Sequence, residues 1–254
     1  MLTGTYSATL IGIDAVAVEI EVHASGAGEG VNVSIVGLPD AAVRESKERI
    51  RSALYAAGLR HPEGFTLVNL APGDIRKEGT AFDLPIALAL ASAAGAFPKE
   101  TLADAMILGE LALDSSVRAV KGVLPAALLA KQMREIHTLI VPAANAREAA
   151  TVLPHIRVYA VESLTDAIRA LSQPLREVVI LRYFADKTVE EIAAALDIPV
   201  GTVKSRLHNA RAELANLLSQ TIGRHAPIPP HCSCHEMVGR RVPTPSHCHG
   251  KEKS

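Results

Sequence analysis

Apolar and polar positions alternate with a period of two from Val16 to Val22 (VAVEIEV) and again from Val31 to Val36 (VNVSIV), the pattern of half-buried strands. The Gly-rich SGAGEG between them predicts a hairpin-type connection. The period then changes. From Asp40 to Ala57, Val43, Ile50 and Leu54 fall on one helical face and Arg44, Lys47, Glu48 and Arg51 on the other, with Asp40 as N-cap and Gly58 just past the C-terminus. A buried strand is expected at Thr66–Leu70, then a loop (APGDIRKEGT) and an Ala/Leu-rich helix from about Phe82. Further strands are expected at Met106–Leu113, Thr138–Val141 and Arg157–Val161, with helices at Gly122–Met133, 144–152 and from a Ser163 cap to Leu171. Strands alternating with helices predict a layered α/β or α+β domain over residues 1–171.

After Ser172-Gln173 the pattern is helical only. Residues 175–185 (LREVVILRYFA) form one apolar-faced helix, and Thr188-Val189-Glu190-Glu191 is a capping box opening a short second one. A tight turn, Asp197–Val200, leads into GTVKSRLHNARAELANLL. Two helices joined by a tight turn, the second carrying basic and small polar residues, form a helix-turn-helix pattern over 173–219. Val203, Leu207, Ala210, Leu214 and Leu217 make its core stripe, which leaves Thr202, Lys204, Ser205, Arg206, His208, Asn209 and Arg211 on other faces. Arg and Lys neutralise phosphates, while Lys, Ser, His and Asn reach base edges. These seven are the candidate DNA-binding residues; an ordinary solvated helix surface is the alternative.

Composition limits the rest. With 26 Lys+Arg against 27 Asp+Glu the chain is no polycation, and 48% hydrophobic residues in 254 indicate a globular protein. Aromatics are 3% with no Trp, so the core must be aliphatic. The longest apolar run, Leu84 to Phe97, falls short of the roughly 20 residues that span a bilayer, and the N-terminus lacks a basic n-region, so a cytoplasmic protein without membrane contact is expected. All three Cys lie after residue 231, in a Pro/His/Cys-rich stretch (220–254) without periodicity that reads as a disordered tail. Cys232, Cys234, His235 and Cys248 are the four candidate zinc ligands there, although Cys-x-Cys is not the usual knuckle spacing. Adventitious metal affinity is the simpler reading, and no cofactor is expected otherwise.

The run from Pro174 to Leu218 closely resembles region four of bacterial sigma factors, especially the extracytoplasmic-function group. Leu175-Arg176-Glu177, Leu181-Arg182-Tyr183-Phe184, Glu191-Ile192-Ala193, Gly201-Thr202-Val203-Lys204-Ser205-Arg206-Leu207-His208 and Ala210-Arg211 carry the likeness. The resemblance implies binding to a promoter −35 element in double-stranded DNA and contact with the flap of RNA polymerase. Two departures stand out. Pro199 replaces the Ser that often caps the recognition helix, and nothing upstream resembles region two, so a complete sigma factor is not expected.

Residues 1–171 resemble the N-terminal domain of the ComM/YifB group, Mg-chelatase-like AAA ATPases linked to natural transformation. The carriers are Ile35-Val36-Gly37-Leu38-Pro39, Ala42-Val43-Arg44-Glu45-Ser46, Val68-Asn69-Leu70-Ala71-Pro72, Lys77-Glu78-Gly79, Phe82-Asp83-Leu84-Pro85-Ile86-Ala87, Gly109-Glu110-Leu111-Ala112-Leu113-Asp114 and Val123-Leu124-Pro125-Ala126. The fold implied is the Lon-protease-like, ribosomal-protein second-domain-like α/β layer structure. Lon-type proteases use a Ser–Lys dyad, but Ala81 stands at the nucleophile position and Leu124 at the lysine position, with Ser115, Ser116 and Lys121 nearby in sequence. The sequence contains no Gly-x-x-x-x-Gly-Lys-Ser/Thr string to cradle phosphates. No enzyme activity is therefore expected unless the chain belongs to a larger ATPase. Arg76-Lys77-Glu78 is a candidate nucleic-acid contact, a solvated loop being its simpler reading. The combined expectation is a DNA-binding, transcription-related domain fusion. The competing readings are a non-catalytic docking or homo-oligomerising protein of the ComM type and, more remotely, a Ser–Lys peptidase.

Overall fold

A computed structural model of the chain describes residues 2–26 and 30–222, with side chains described through residue 212 except at 173 and 174. Strands β1 (Leu2–Ile11) and β2 (Asp14–Ala24) form an antiparallel hairpin, Leu2 opposite His23 and Ile11 opposite Asp14. Its two-residue turn places Gly12 at φ 66°, the left-handed start that a tight hairpin of this kind needs. Strand β3 (Val31–Val36), helix α1 (Ala41–Ala56) and strand β4 (Gly64–Ala71) make a parallel β-α-β unit. The expected hairpin between 16–22 and 31–36 does not form: β4 lies between β2 and β3, pairs with both, and leaves β3 at the sheet edge.

Asp40 caps α1 as expected, accepting from the Val43 amide at 2.8 Å, and its other oxygen accepts from the Gly79 amide at 3.1 Å. Gly37, at φ 98°, lies so close to β4 that a Cβ there would sit 2.1 Å from the Leu70 carbonyl oxygen. Helix α2 (Asp83–Ala93) is buried on every side from Asp83 to Ser92. The Asp83 carboxylate at its first turn is held by Arg49 of α1 at 2.8 and 3.1 Å and accepts from the Leu111 amide.

The expected strand Met106–Leu113 is two strands. β5 (Ala105–Ile107) joins the main sheet, whereas β6 (Glu110–Leu111) pairs with β7 (Val117–Arg118) in a separate ribbon. The break falls at Gly109, whose amide and carbonyl serve Ala81 and Leu84 instead of a sheet neighbour. Helix α3 (Val123–Gln132), β8 (Thr138–Pro142), the single-turn α4 (Ala146–Ala149) and β9 (Arg157–Val161) complete the domain. The order is β3-β4-β2-β1-β5-β8-β9. Alternation along the central strands divides the core. Ala105, Ile107 and Ile140 face α1 and α2, while Met106, Leu139 and Val141 face α3 and α4.

Helix α5 (Leu164–Tyr183) begins at Ser163, whose hydroxyl accepts from the Asp166 amide. It runs unbroken through position 174, so the expected boundary at Ser172-Gln173 falls inside a helix. Leu164, Ala167, Ala170 and Leu171 belong to the core beneath the sheet, and Val178 belongs to a third cluster with α6 (Val189–Leu196) and α7 (Val200–Ile222). Proline deprives the carbonyl four residues back of its donor, yet the helix continues through it, packed into one core before Pro174 and another after it. No helix among the described residues is long and apolar enough to cross a membrane. Residues 223–254, with the four candidate zinc ligands, lie outside the described residues.

Candidate nucleic-acid interface

The helical module is built as its sequence predicts. The Thr188 hydroxyl accepts from the Glu191 amide at 3.2 Å, and a Glu191 carboxylate oxygen accepts from the Thr188 amide at 2.8 Å. Asp197 ends α6 at φ 51°, a left-handed conformation that Asp tolerates better than most residues. Ile198 is buried in the turn, and the Pro199 carbonyl accepts from the Thr202 and Val203 amides. Pro199 thus opens α7 through its backbone, with no side-chain cap. Val178, Ile192, Ala193, Ile198, Val203 and Leu207 pack together, with Leu181, Val189 and Leu196 around them. Of the expected stripe, Val203, Leu207 and Ala210 are buried; the side chains of Leu214 and Leu217 lie outside those described.

At about 100° per residue, the remaining α7 positions fall into three groups relative to that stripe. Gly201 and Ser205 lie opposite it. Thr202, Arg206 and Asn209 lie to one side, and Lys204, His208 and Arg211 to the other. The last three are exposed. Arg211 donates from Nε to the Tyr183 hydroxyl at 2.8 Å and stands 5.9 Å from the ring centroid, so its guanidinium is steered by α5. Tyr183 is a positioning residue that sequence inspection did not single out as such.

The Thr202 side faces the α/β domain. Together with Ser205, Arg206 and Asn209 it lines a groove of about 410 Å³ whose other wall includes Glu100, Asp104 and Glu135. Arg206 corrects the sequence expectation: it is 6% exposed, with Nη2 on the Asp104 carboxylate at 2.6 Å. Its Nη1 is buried with no hydrogen-bond partner among the described residues. Burial pushes the guanidinium down from its ordinary value and Asp104 pulls it back; an arginine remains charged regardless. Beside this pair, Arg157 of β9 reaches Glu177 of α5 at 2.9 Å. The spacing of Arg206 places it on the helix surface, but the contact that covers it comes from a residue 102 positions earlier, and no local pattern signals it.

Two families match the chain. Residues 20–145 match the family described as subunit ChlI of Mg-chelatase, and residues 162–214 match sigma-70, region 4. Competence protein ComM of Haemophilus influenzae is 38% identical over 167 residues, which are 66% of this chain and 32% of that protein. The uncharacterized protein YifB of Salmonella typhimurium is 37% identical over 142 residues, 56% of this chain and 27% of that protein. RNA polymerase sigma-E factor of Streptomyces antibioticus is 49% identical over 51 residues, 20% of this chain and 28% of that protein. The chain joins a ComM/YifB-type ChlI segment to a sigma-70 region 4 segment. It spans about a third or less of the length of each of these relatives. The region 4 segment starts at the β9–α5 junction, so the shared helix α5 lies wholly within it.

In the ComM/YifB-type segment, Ala81 lines a cavity of about 540 Å³ with Thr80, Glu110 and Lys121. The Thr80 hydroxyl donates to Glu110, whose other oxygen meets Arg118 at 3.4 Å. Ser115 and Ser116 are not among the residues lining this cavity, and Ser116 donates to Asp114. Of Ser115, Ser116 and Lys121, Lys121 alone lines the cavity that holds Ala81. Leu124 is exposed on α3. The Arg76-Lys77-Glu78 loop also differs from expectation. Lys77 is fully buried, its ammonium donating to the Pro72 carbonyl, while Arg76 pairs with Glu78 at 3.3 Å. Burial pushes Lys77 below its ordinary value, with Asp74 opposing. A buried lysine bonded to its own loop holds that loop in shape and is not free for phosphate.

Proposed function

We propose that this chain is a duplex-DNA-binding, transcription-related protein whose region 4 segment prefers −35-like promoter sequence and contacts RNA polymerase. The observation that carries the reading is the helix-turn-helix: a capped α6 leads into α7, which exposes Lys204, His208 and Arg211 together on one side, with Ser205 opposite the core. The ComM/YifB-type segment, of Lon-protease-like layer fold, acts here without catalysis, because alanine replaces the nucleophile and the neighbouring Thr80 hydroxyl already serves Glu110. The protein works in the cytoplasm and needs no cofactor, any zinc held by Cys232, Cys234, His235 and Cys248 being incidental.

Fluorescence anisotropy on −35-like and scrambled duplexes at two salt concentrations tests this. Each phosphate neutralised contributes a slope of roughly −0.9 in log K against log salt. Arg211→Ala should weaken binding equally on both duplexes and flatten the slope by about that amount. Lys204→Ala should cost about 1–3 kcal/mol on the preferred duplex and relax specificity. Val203→Asp, which puts a charge in the module's core, is the unfolded control. Wild type that binds neither duplex at low salt refutes the reading.

A second reading has its own observation. Leu10, Ile11 and Ile13 at the β1–β2 tip are exposed, as are Leu124 and Leu128 on α3. Apolar surface of this kind favours a homo-oligomerising or partner-docking role for the α/β domain, alongside or instead of DNA binding.

A further inference from the structure

The side of α7 that carries Thr202, Arg206 and Asn209 is turned toward carboxylates of its own chain. Asp104 holds Arg206 at 2.6 Å, and Glu100 and Glu135 line the same groove. A recognition helix reads DNA by entering a major groove about 12 Å wide, flanked on both sides by phosphates. With Arg206 buried against Asp104 and the α/β domain forming the groove's other wall, that side of α7 is not open to a duplex. Asp104 is neutralised by Arg206, but Glu100 and Glu135 lie within the roughly 8 Å screening length at which they repel a phosphate approaching that side. The opposite side, with Lys204, His208 and Arg211, is open. In this arrangement α7 can therefore touch phosphates along one flank but cannot seat in the groove.

We infer that the α/β domain is an intramolecular gate on the helix-turn-helix, with its acidic face occupying the place of the DNA backbone and the Asp104–Arg206 pair as the latch. This inference rests on the DNA-binding reading above. The closed form binds duplex weakly, so the sequence preference of wild type comes from its open fraction; release of Arg206 exposes the full reading face. The open form need not be built from new parts. Asp104 is partly solvated, its side chain 23% exposed, so both partners of the latch can regain water when it parts.

The test combines two measurements on the full chain, wild type and Asp104→Asn, with Asp104→Lys as the stronger opening variant. The first is reaction with phenylglyoxal, resolved by peptide mass spectrometry. Arg206 should be protected in wild type, while exposed Arg176 on α5 reacts, and should become reactive in both variants. The second is anisotropy on −35-like and scrambled duplexes. A gated site has an apparent affinity lowered by the fraction of open molecules, so the variants should bind the −35-like duplex about tenfold or more tightly than wild type and gain much less on the scrambled one. Arg206 reacting in wild type as fast as Arg176 overturns the closed arrangement whatever DNA does. Arg206 freed in the variants with unchanged, measurable DNA affinity overturns the gate and leaves the DNA-binding reading intact. Freed Arg206 with no DNA binding by any form refutes the DNA-binding reading, and the gate falls with it.

Discussion

The two parts of the molecule hold themselves together on different scales. The α/β part buries aliphatic side chains on both faces of a seven-stranded sheet, and its α2 is enclosed on all sides. The helical part packs six buried residues and a few half-buried ones, caps α6 with a two-way hydrogen-bonded box, and borrows half of α5 from its neighbour. Small cores leave a larger fraction of surface in water and are correspondingly marginal. The chemistry follows the same division. The large part buries the carboxylate of a charged pair of its own, Arg49–Asp83. Among the described residues the one buried cation of the small part, Arg206, is held by Asp104 of the large part, while Lys204, His208 and Arg211 stay exposed. Dependence should therefore run one way: the helical part fails when the sheet fails, but not the reverse.

The largest effect is expected at Gly37. Alanine there would bring a Cβ to 2.1 Å from the Leu70 carbonyl oxygen in a backbone at φ 98°, a position where main chain must move. Gly37→Ala should destabilise the α/β part by about 4 kcal/mol or more. In chemical denaturation followed by far-UV circular dichroism and by α5–α7 amide signals together, both parts should unfold at the same lowered midpoint. A helical module that outlasts the sheet in this variant would mean that α5 does not couple them.

The Arg49–Asp83 pair gives a smaller and pH-dependent break. Burial raises the Asp83 carboxyl above its ordinary range, against the pull of Arg49. A carboxyl whose folded pKa exceeds its unfolded value binds its proton more tightly when folded. Its contribution favours folding at low pH and is withdrawn as pH rises through the folded value. Arg49→Ala removes the opposing charge, raises Asp83 further and leaves a buried carboxylate unpaired, a loss of about 3 kcal/mol near neutral pH. The deficit should shrink as the pH is lowered toward about 4, the ordinary carboxyl range. A deficit that stays constant between neutral and acid pH would mean that the damage is lost packing and not an unpaired charge.

Much of this was legible in the sequence because it is local. Alternation marked β2 and β3, the Asp40 and Ser163 caps marked helix starts, and Thr188-x-x-Glu191 marked α6. Strand β1 was missed, though it sits at the centre of the sheet, because its buried side is Thr3, Thr5, Ser7 and Thr9 and not an apolar row. The Thr5 hydroxyl donates to the Ala105 carbonyl at 3.2 Å, whereas the Thr3 and Ser7 hydroxyls are buried without a partner among the described residues. Pro174 and the polar Ser172-Gln173 suggested a boundary inside α5 because local propensity cannot see the packing at both ends. The burial of Arg206 and the acidity of the groove facing it are tertiary facts with no local signature. The parts of the candidate site set by helix periodicity were readable; the surface opposing them was not.

The finest discrimination between the two parts lies at the α6 cap, where the expected effect is smallest and confined to one side of the comparison. Thr188→Ala deletes the hydroxyl that accepts the Glu191 amide and should cost about 1 kcal/mol, read as faster hydrogen exchange in α6 and α7 with β2 and β4 unchanged. Equal loss of protection in the sheet strands would show one cooperative unit and defeat the one-way dependence argued above. Glu191 supplies the matching pH test. The Thr188 amide, helped by Lys187, holds its carboxyl below the ordinary value. A depressed carboxyl contributes stability above its unfolded pKa and loses it as pH falls through the folded one, so α6 protection in wild type should decline on acidification before the sheet is affected. Glu191→Gln keeps an oxygen that can accept from the Thr188 amide but cannot titrate. In that variant α6 should form at neutral pH nearly as in wild type, and its protection should no longer fall with acid. If the acid-induced loss survives the substitution, the cap does not cause it and another carboxyl in the module must.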